Sequence, residues 1–327
     1  MVAFDPDDLS RFDDFRILTT SYKQVHDHEI SVNVLYHKDL PTHASAAQPI
    51  IIRFHGGGLV AADSLFPDFF GHWLLDLAKT NRAIIVSANH RLLPESNATD
   101  ILEDLDDLWS WVRESLPSFL TTQSGGSLGC DTGRIMVAGE SAGGYLAIQL
   151  ALNHPDKIRT FLIQYPMLDM KSPWFMAEYE KNVLGVPQLP RTLIADHLKR
   201  VHDSEVQANK KIIVSSDPRF ERGPLMFGMI QQGLFGQYFD PQIKRLFPID
   251  RVEEGESLPA AGGLIWHGQD DSVVPVGGSV KFRDAVLKQN PSANVALEIR
   301  PGEHGFDATV KLGWLNEDEA RAKHNGD

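Results

Sequence analysis

The chain of 327 residues contains a single cysteine, Cys130. That excludes an intrachain disulfide and any cysteine-rich metal site. No apolar run approaches the roughly 20 residues needed to cross a bilayer, so no membrane span is expected. Positive charge is also scarce. Lys and Arg number 31 against 44 Asp and Glu, a net charge of −13. Such a balance argues against nucleic acid or an anionic membrane surface as a partner. The opening MVAFDPDDLSRFDDF has neither the basic n-region nor the apolar h-region of a signal peptide. Without a secretory signal, the glycosylation match at Asn97-Ala98-Thr99 carries little weight. The expected location is cytoplasmic and the expected partners are small molecules. The sequence leaves the oligomeric state open.

Eight short runs rich in β-branched residues read as strands: FRILTTSY, EISVNVLY, PIIIRF, AIIVSAN, RIMVAG, TFLIQY, GGLIWHG and NVALEIR. The first two alternate apolar and polar residues and adjoin one another, the pattern of an antiparallel hairpin at a sheet edge. The later runs are almost continuously apolar, as parallel strands covered on both faces are. Helical patterns lie between them, including DILEDLDDLWSWVRESL, SAGGYLAIQLALNH and VGGSVKFRDAVLKQN. The alternation predicts an α/β fold with a mostly parallel eight-stranded sheet and helices on both faces. The acids of the first helix, Asp100, Glu103, Asp104, Asp106 and Asp107, are expected on a solvated face rather than around a metal. Residues 169–258 contain no convincing strand and many large apolar groups, among them Trp174, Phe175, Met176, Phe220, Met226, Phe227, Met229, Phe235, Tyr238 and Phe239. A structureless loop of that length is implausible in a compact domain. The expected organisation is therefore a core of residues 1–168 and 259–327, interrupted by a helical cap insertion over 169–258. Most of these large side chains should pack the insertion's own core, and some should line a pocket.

The strongest chemical signal is Gly139-Glu140-Ser141-Ala142-Gly143, a G-x-S-x-G pattern between a strand and a helix. A turn that tight needs small flanking residues and holds the serine hydroxyl above the sheet. The N–H of Ala142, at the start of the helix, then faces whatever Ser141 attacks. The second signal is His55-Gly56-Gly57-Gly58, directly after a buried strand. Consecutive glycines let the backbone approach a ligand and present N–H groups to a developing oxyanion. No phosphate-loop pattern is present there, and His55 reads as an orienting residue rather than a base. The third signal is LEIRPGEHGFDATV, where His304 follows a strand and a Pro-Gly turn and precedes a helical pattern. Serine, acid and histidine in that chain order, each on a loop after a strand, is the order of a hydrolase triad. His304 is thus the expected base, and its rival His267 is expected to pack beside the acid. The acid itself lies in HGQDDSVVP, where Asp270 and Asp271 both qualify.

These motifs resemble the α/β-hydrolases of the hormone-sensitive lipase type, a group of carboxylesterases and lipases. The match rests on HGGG at His55 to Gly58, GESAGG at Gly139 to Gly144, NHRLLPE at Asn89 to Glu95, and EHGF, spanning about residues 50–310. The resemblance implies an α/β-hydrolase fold, with Gly57, Gly58 and Ala142 as the oxyanion hole and Arg91 and Glu95 as scaffold. The family's usual D-P-L-x-D block is missing. HGQDDSVVP instead resembles the H-G-x-x-D-x-x-V-P block of other α/β-hydrolases, which assigns the role to Asp271 and leaves Asp270 as an outward-facing or scaffold residue. The family's N-terminal cap is reduced, so the insertion would cover the pocket.

The expected catalytic residues are therefore Ser141, Asp271 and His304, with Glu140 in a supporting role. The expected activity is serine hydrolysis of carboxylic esters with small to medium, apolar acyl or aryl groups, through an acyl-enzyme and without cofactor or metal. Amide or formamide, thioester and lactone hydrolysis would use the same apparatus. A non-catalytic alternative is a small-molecule receptor on the same fold. Plant gibberellin receptors resemble the family but have lost the catalytic histidine.

Overall fold

In the computed structural model, which describes residues 7–40, 47–308 and 310–312, all eight apolar runs form strands. They are β1 Phe15–Val25, β2 His28–His37, β3 Gln48–Phe54, β4 Ile84–Ala88, β5 Cys130–Glu140, β6 Ile158–Gln164, β7 Gly263–Gly268 and β8 Val295–Arg300. They join one sheet in the order β1-β2-β4-β3-β5-β6-β7-β8. β1 and β2 form the edge hairpin, β2 runs antiparallel to β4, and every later pairing is parallel. β3 and β4 lie inside the sheet, and their Ile50, Ile51, Ile52, Phe54, Ile84, Ile85 and Val86 are all buried. Covering on both faces explains why these strands lack alternation.

Nine helices occur among the described residues: α1 His72–Asn81, α2 Ala98–Glu114, α3 Leu116–Gln123, α4 Ala142–Asn153, α5 Pro173–Met176, α6 Leu193–Ala208, α7 Gly223–Gln232, α8 Pro248–Glu253 and α9 Gly277–Gln289. None is long and apolar enough to cross a membrane. α2 starts on a capping box, in which Asn97 Oδ1 accepts from the Asp100 N–H and Asp100 Oδ2 from the Asn97 N–H, both at 3.0 Å. It buries Ile101, Leu102, Leu105, Leu108, Trp109 and Val112. Its acidic face is not wholly solvated, contrary to the sequence expectation. Asp104 is fully buried, held by Arg91 Nε at 2.9 Å and Lys23 Nζ at 2.8 Å. Two cations from outside the helix compensate this charge, and helical periodicity contains no trace of them.

Between β6 and β7 the described chain is helix and loop, α5 to α8, with no strand. Its large side chains do not form a core of their own. Phe175, Met229, Phe235 and Phe239 are buried in the same apolar cluster as the central strands and α4. Phe239 meets Tyr145 of α4 edge-on, ring centroids 5.8 Å apart, and the Tyr145 hydroxyl donates to the Leu246 carbonyl at 3.0 Å. Of these helices α5 and α6 pack on α7, while α8 packs on α4. That leaves α4 covered all round, which is why every residue from Ala142 to Leu152 is buried. The helical pattern expected after His304 is a run of turns to Ala308, and residues 313–327 of the expected core segment lie outside the described residues, as do residues 1–6.

Candidate active site

The loops at the C-terminal ends of β3, β5, β7 and β8 carry the residues singled out from the sequence. Ser141 occupies the one-residue turn between β5 and α4, at φ 56° and ψ −118°. A side-chain-bearing residue is rare at positive φ, and such strain persists only where the surroundings enforce it. Here the Ser141 N–H is tied to the Gln164 carbonyl at 2.9 Å, and the Ser141 carbonyl accepts from Gly144 and Met167. A Cβ at Gly143 would stand 2.1 Å from the Phe54 carbonyl oxygen. Only glycine lets α4 start this close to the end of β3. The HGGG loop is thereby brought to the serine, and a Cβ on Gly56 would lie 3.5 Å from Ser141 Cβ.

Gly57 and Gly58 have φ of 96° and 65°. Among the described residues, none accepts a hydrogen bond from the N–H of Gly57, Gly58 or Ala142. Beneath the loop, Glu140 Oε1 accepts from the Gly56 N–H at 2.9 Å and from Arg53 Nη2 at 2.5 Å. Burial pushes the Glu140 carboxyl up to about 7, against the pull of Arg53. His55 is fully buried, stacks on His90 at 4.7 Å, and points Nδ1 at the Gly56 carbonyl. Burial first, then His90 and Arg53, hold its pKa well below the ordinary histidine value, so the imidazole is neutral.

Asp271 and His304 meet directly, with His304 Nδ1 2.7 Å from Asp271 Oδ2. The other carboxylate oxygen accepts the N–H groups of Val273 and Val274 at 2.9 and 2.7 Å. Burial opposes the charge on Asp271, but His304, His267 and the Val274 N–H outweigh it and hold the carboxyl well below the usual range. An ionised carboxylate at Nδ1 keeps the proton there and leaves Nε2 as a lone pair. Asp270 is exposed. His267 is fully buried between the Val274 carbonyl and the Ser279 hydroxyl, each at 2.8 Å, and lies 3.3 Å from Asp271 Oδ2. No hydrogen bond joins Ser141 to His304. In unliganded hydrolases this contact is commonly long and tightens only with substrate.

Several residues around the site escaped the sequence reading. Tyr165 follows β6, sets its ring against that of His304 at a tilt of 56° with centroids 4.3 Å apart, and donates its hydroxyl to Asp307 at 2.7 Å. Asp307 also accepts from Trp73 Nε1 at 2.8 Å. Glu303 Oε1 bridges two loops, accepting from the Ser272 N–H at 2.5 Å and the His304 N–H at 2.7 Å. Arg53 was the findable one, because a charge inside the apolar run IIIRF demands a buried partner.

A family model described as alpha/beta hydrolase fold matches residues 51–205. Over 317 residues the chain is 32% identical to a Phoma species protein described as "Probable carboxylesterase M8", covering 94% of this chain and 95% of that one. It is 24% identical over 341 residues to part of the non-reducing polyketide synthase Preu6 of Preussia isomera, covering 92% of this chain and 14% of the synthase. Among solved structures, a hyperthermophilic esterase from the archaeon Pyrobaculum calidifontis matches with TM-score 0.58 at 20% identity, over 97% of this chain and 86% of that one. The chain belongs to the α/β-hydrolase fold family and is of its carboxylesterase type.

Proposed function

We propose that this protein is a serine hydrolase that cleaves carboxylic esters of small to medium, apolar acyl or aryl groups through an acyl-enzyme. The observation that carries this reading is the part-buried Asp271–His304 pair at 2.7 Å, on the same end of the sheet as a serine held at positive φ. Ser141 Oγ attacks the acyl carbon while His304 Nε2 takes its proton. The N–H groups of Gly57, Gly58 and Ala142 hold the oxyanion. Collapse of the tetrahedral intermediate expels the alkoxide, which leaves as alcohol with the proton from His304. Water, deprotonated by His304, then attacks the acyl-enzyme, releasing the acid and restoring Ser141. Residues 169–258 act as the cap, with Met226 of α7 set against Gly58. The reading predicts that a fluorophosphonate probe labels the wild type but not Ser141→Ala, and that p-nitrophenyl esters of increasing chain length show an optimum. Folded wild-type protein that is not labelled would overturn it.

One observation favours a second acyl donor. The match to a segment of a polyketide synthase covers nearly the whole chain, and polyketide chains are carried as thioesters. The same serine chemistry releases a thiol in place of an alcohol. Equal or better kcat/KM on an aryl N-acetylcysteamine thioester than on the matching ester would select that reading.

A further inference from the structure

One cluster of buried charge lies where the helical segment meets the HGGG loop and has no part in the chemistry above. Arg222 immediately precedes α7. Its Nε donates to the Val60 carbonyl and its Nη2 to the Leu93 carbonyl, both at 2.7 Å. Nη1 and Nη2 also reach the two oxygens of Glu95 at 3.0 and 2.5 Å. The Glu95 side chain is 1% exposed and takes another bond from His197 Nε2 at 2.6 Å. One turn further along α7, Met226 Cγ stands 2.8 Å from where a Cβ on Gly58 would be.

A second tie lies at the far end of the same loop. The Asp217 N–H donates to the Ala62 carbonyl at 2.9 Å, and Asp217 Oδ2 accepts the Arg222 N–H at 3.0 Å. Between these anchors the loop is strained. Gly57, Gly58, Leu59 and Ala62 all have positive φ, at 96°, 65°, 63° and 73°. Leu59 and Ala62 carry side chains, so each pays a penalty in that region that the surroundings must offset. The loop's own turn bonds are few, from Val60 and Ala61 to the Gly57 carbonyl. The rest comes from outside it: the Leu59 carbonyl accepts from the Leu93 N–H at 2.8 Å, and the helical segment holds the Val60 and Ala62 carbonyls.

We propose that Arg222 is a positioning residue for the oxyanion hole. It holds residues 57–62 in the hole-forming conformation through the Val60 and Leu93 carbonyls, and Glu95 fixes the guanidinium. The role rests on the reading of Gly57 and Gly58 as oxyanion donors. It makes the helical segment part of the catalytic apparatus as well as its cover, because any group that displaces the start of α7 displaces Val60 with it.

Arg222→Lys tests this directly. Lysine keeps the charge against Glu95 but replaces a planar fork of donors with three N–H groups on a single nitrogen, which cannot span Val60, Leu93 and Glu95 together. The expected result is a fall in kcat per fluorophosphonate-titrated site of about 10- to 100-fold, part of the loss seen when an oxyanion donor is removed outright. KM should stay within about threefold, since ground-state binding is not the target. A trifluoromethyl ketone adds to the serine and places an alkoxide in the hole. Its inhibition constant should rise by the factor by which kcat/KM falls. Arg222→Met combined with Glu95→Gln removes both charges, which avoids an uncompensated buried carboxylate, and should show at least as large a loss. A folded variant with kcat per titrated site and inhibition constant within about twofold of wild type overturns the proposal, as does a loss confined to the titratable fraction or to Tm. Wild-type protein that is neither labelled nor inhibited overturns the ester-hydrolase reading itself. An active wild type with unaffected Arg222 variants overturns the positioning role alone.

Discussion

Asp271→Asn separates the two adjacent acids of HGQDDSVVP and can be worked through atom by atom. The carboxylate receives four contacts: Val273 and Val274 N–H on one oxygen, His304 Nδ1 at 2.7 Å and His267 Nε2 at 3.3 Å on the other. Asparagine keeps the first oxygen on its two backbone donors, so its amide NH2 must take the second position. Two donors then face each other at His304 Nδ1. The imidazole relieves the clash by moving its proton to Nε2, which removes the lone pair needed to deprotonate Ser141. A wrong-tautomer histidine lowers kcat by about 10⁴-fold, or about 5 kcal/mol of transition-state stabilisation. Loss of the charge-assisted bond to His304 should also destabilise the fold by roughly 1.5–3 kcal/mol, an effect that thermal melting separates from the kinetic one. Asp270→Asn, at an exposed carboxylate, should leave kcat within about twofold of wild type. The assay is hydrolysis of p-nitrophenyl butyrate, normalised to titrated serine and read beside the melting curve. Asp271→Asn within about tenfold of wild-type kcat, or an equal loss in Asp270→Asn, refutes the reasoning.

The remaining predictions concern the loop, the buried charge and the helical segment. Gly58→Ala should lose about tenfold or more in kcat, because a side chain there is strained at φ 65° and meets Met226 Cγ at 2.8 Å. Gly126→Ala is the control, strained at φ 87° but touching nothing within 4 Å, and should cost stability without activity. Glu95 falls from an ordinary 4.5 to about 2 as His197 and Arg222 overcome its burial. Its stabilisation is therefore complete above the unfolded pKa and lost as pH drops towards about 2. That amounts to ~3 kcal/mol, and in acid melts Glu95→Gln should flatten the decline below about pH 4.5. Phe239 is fully buried against Tyr145, so Phe239→Ala should cost about 3–5 kcal/mol and shift one cooperative transition. A separate early transition, with the main one unmoved, would show that the helical segment folds independently.

The strands could be read because their burial leaves a mark in each residue. Ile50 to Ile52 is apolar on both faces because both faces are covered, whereas β2 alternates in sequence although Asn33, Leu35 and His37 are buried as well as Ile30, Val32 and Val34. The serine turn and the HGGG loop could be read for a similar local reason, since tight turns and close backbone approach demand glycine at fixed offsets. Asp271 could not be told from Asp270 in this way. Either would serve in a loop, and a resemblance had to decide between them.

What escaped is everything that depends on a single bond between distant parts of the chain. Asp104 reads as one acid among five on a polar helix face until Lys23 and Arg91 arrive from two other segments. Tyr165 and Asp307 are 142 residues apart in sequence, and neither carries a pattern that names the other. The aromatics of residues 169–258 announce burial but not against what, so α4 could not be picked as their partner. Buried charge is the exception that can be pursued from sequence. Arg53 interrupts an apolar run two residues before the HGGG loop, and Glu140 stands immediately before Ser141. A cation and an anion, each ending a central strand where burial forbids an unpaired charge, have to find each other. Their pairing at 2.5 Å, with Gly56 held by the same carboxylate oxygen, joins the two glycine motifs into one site.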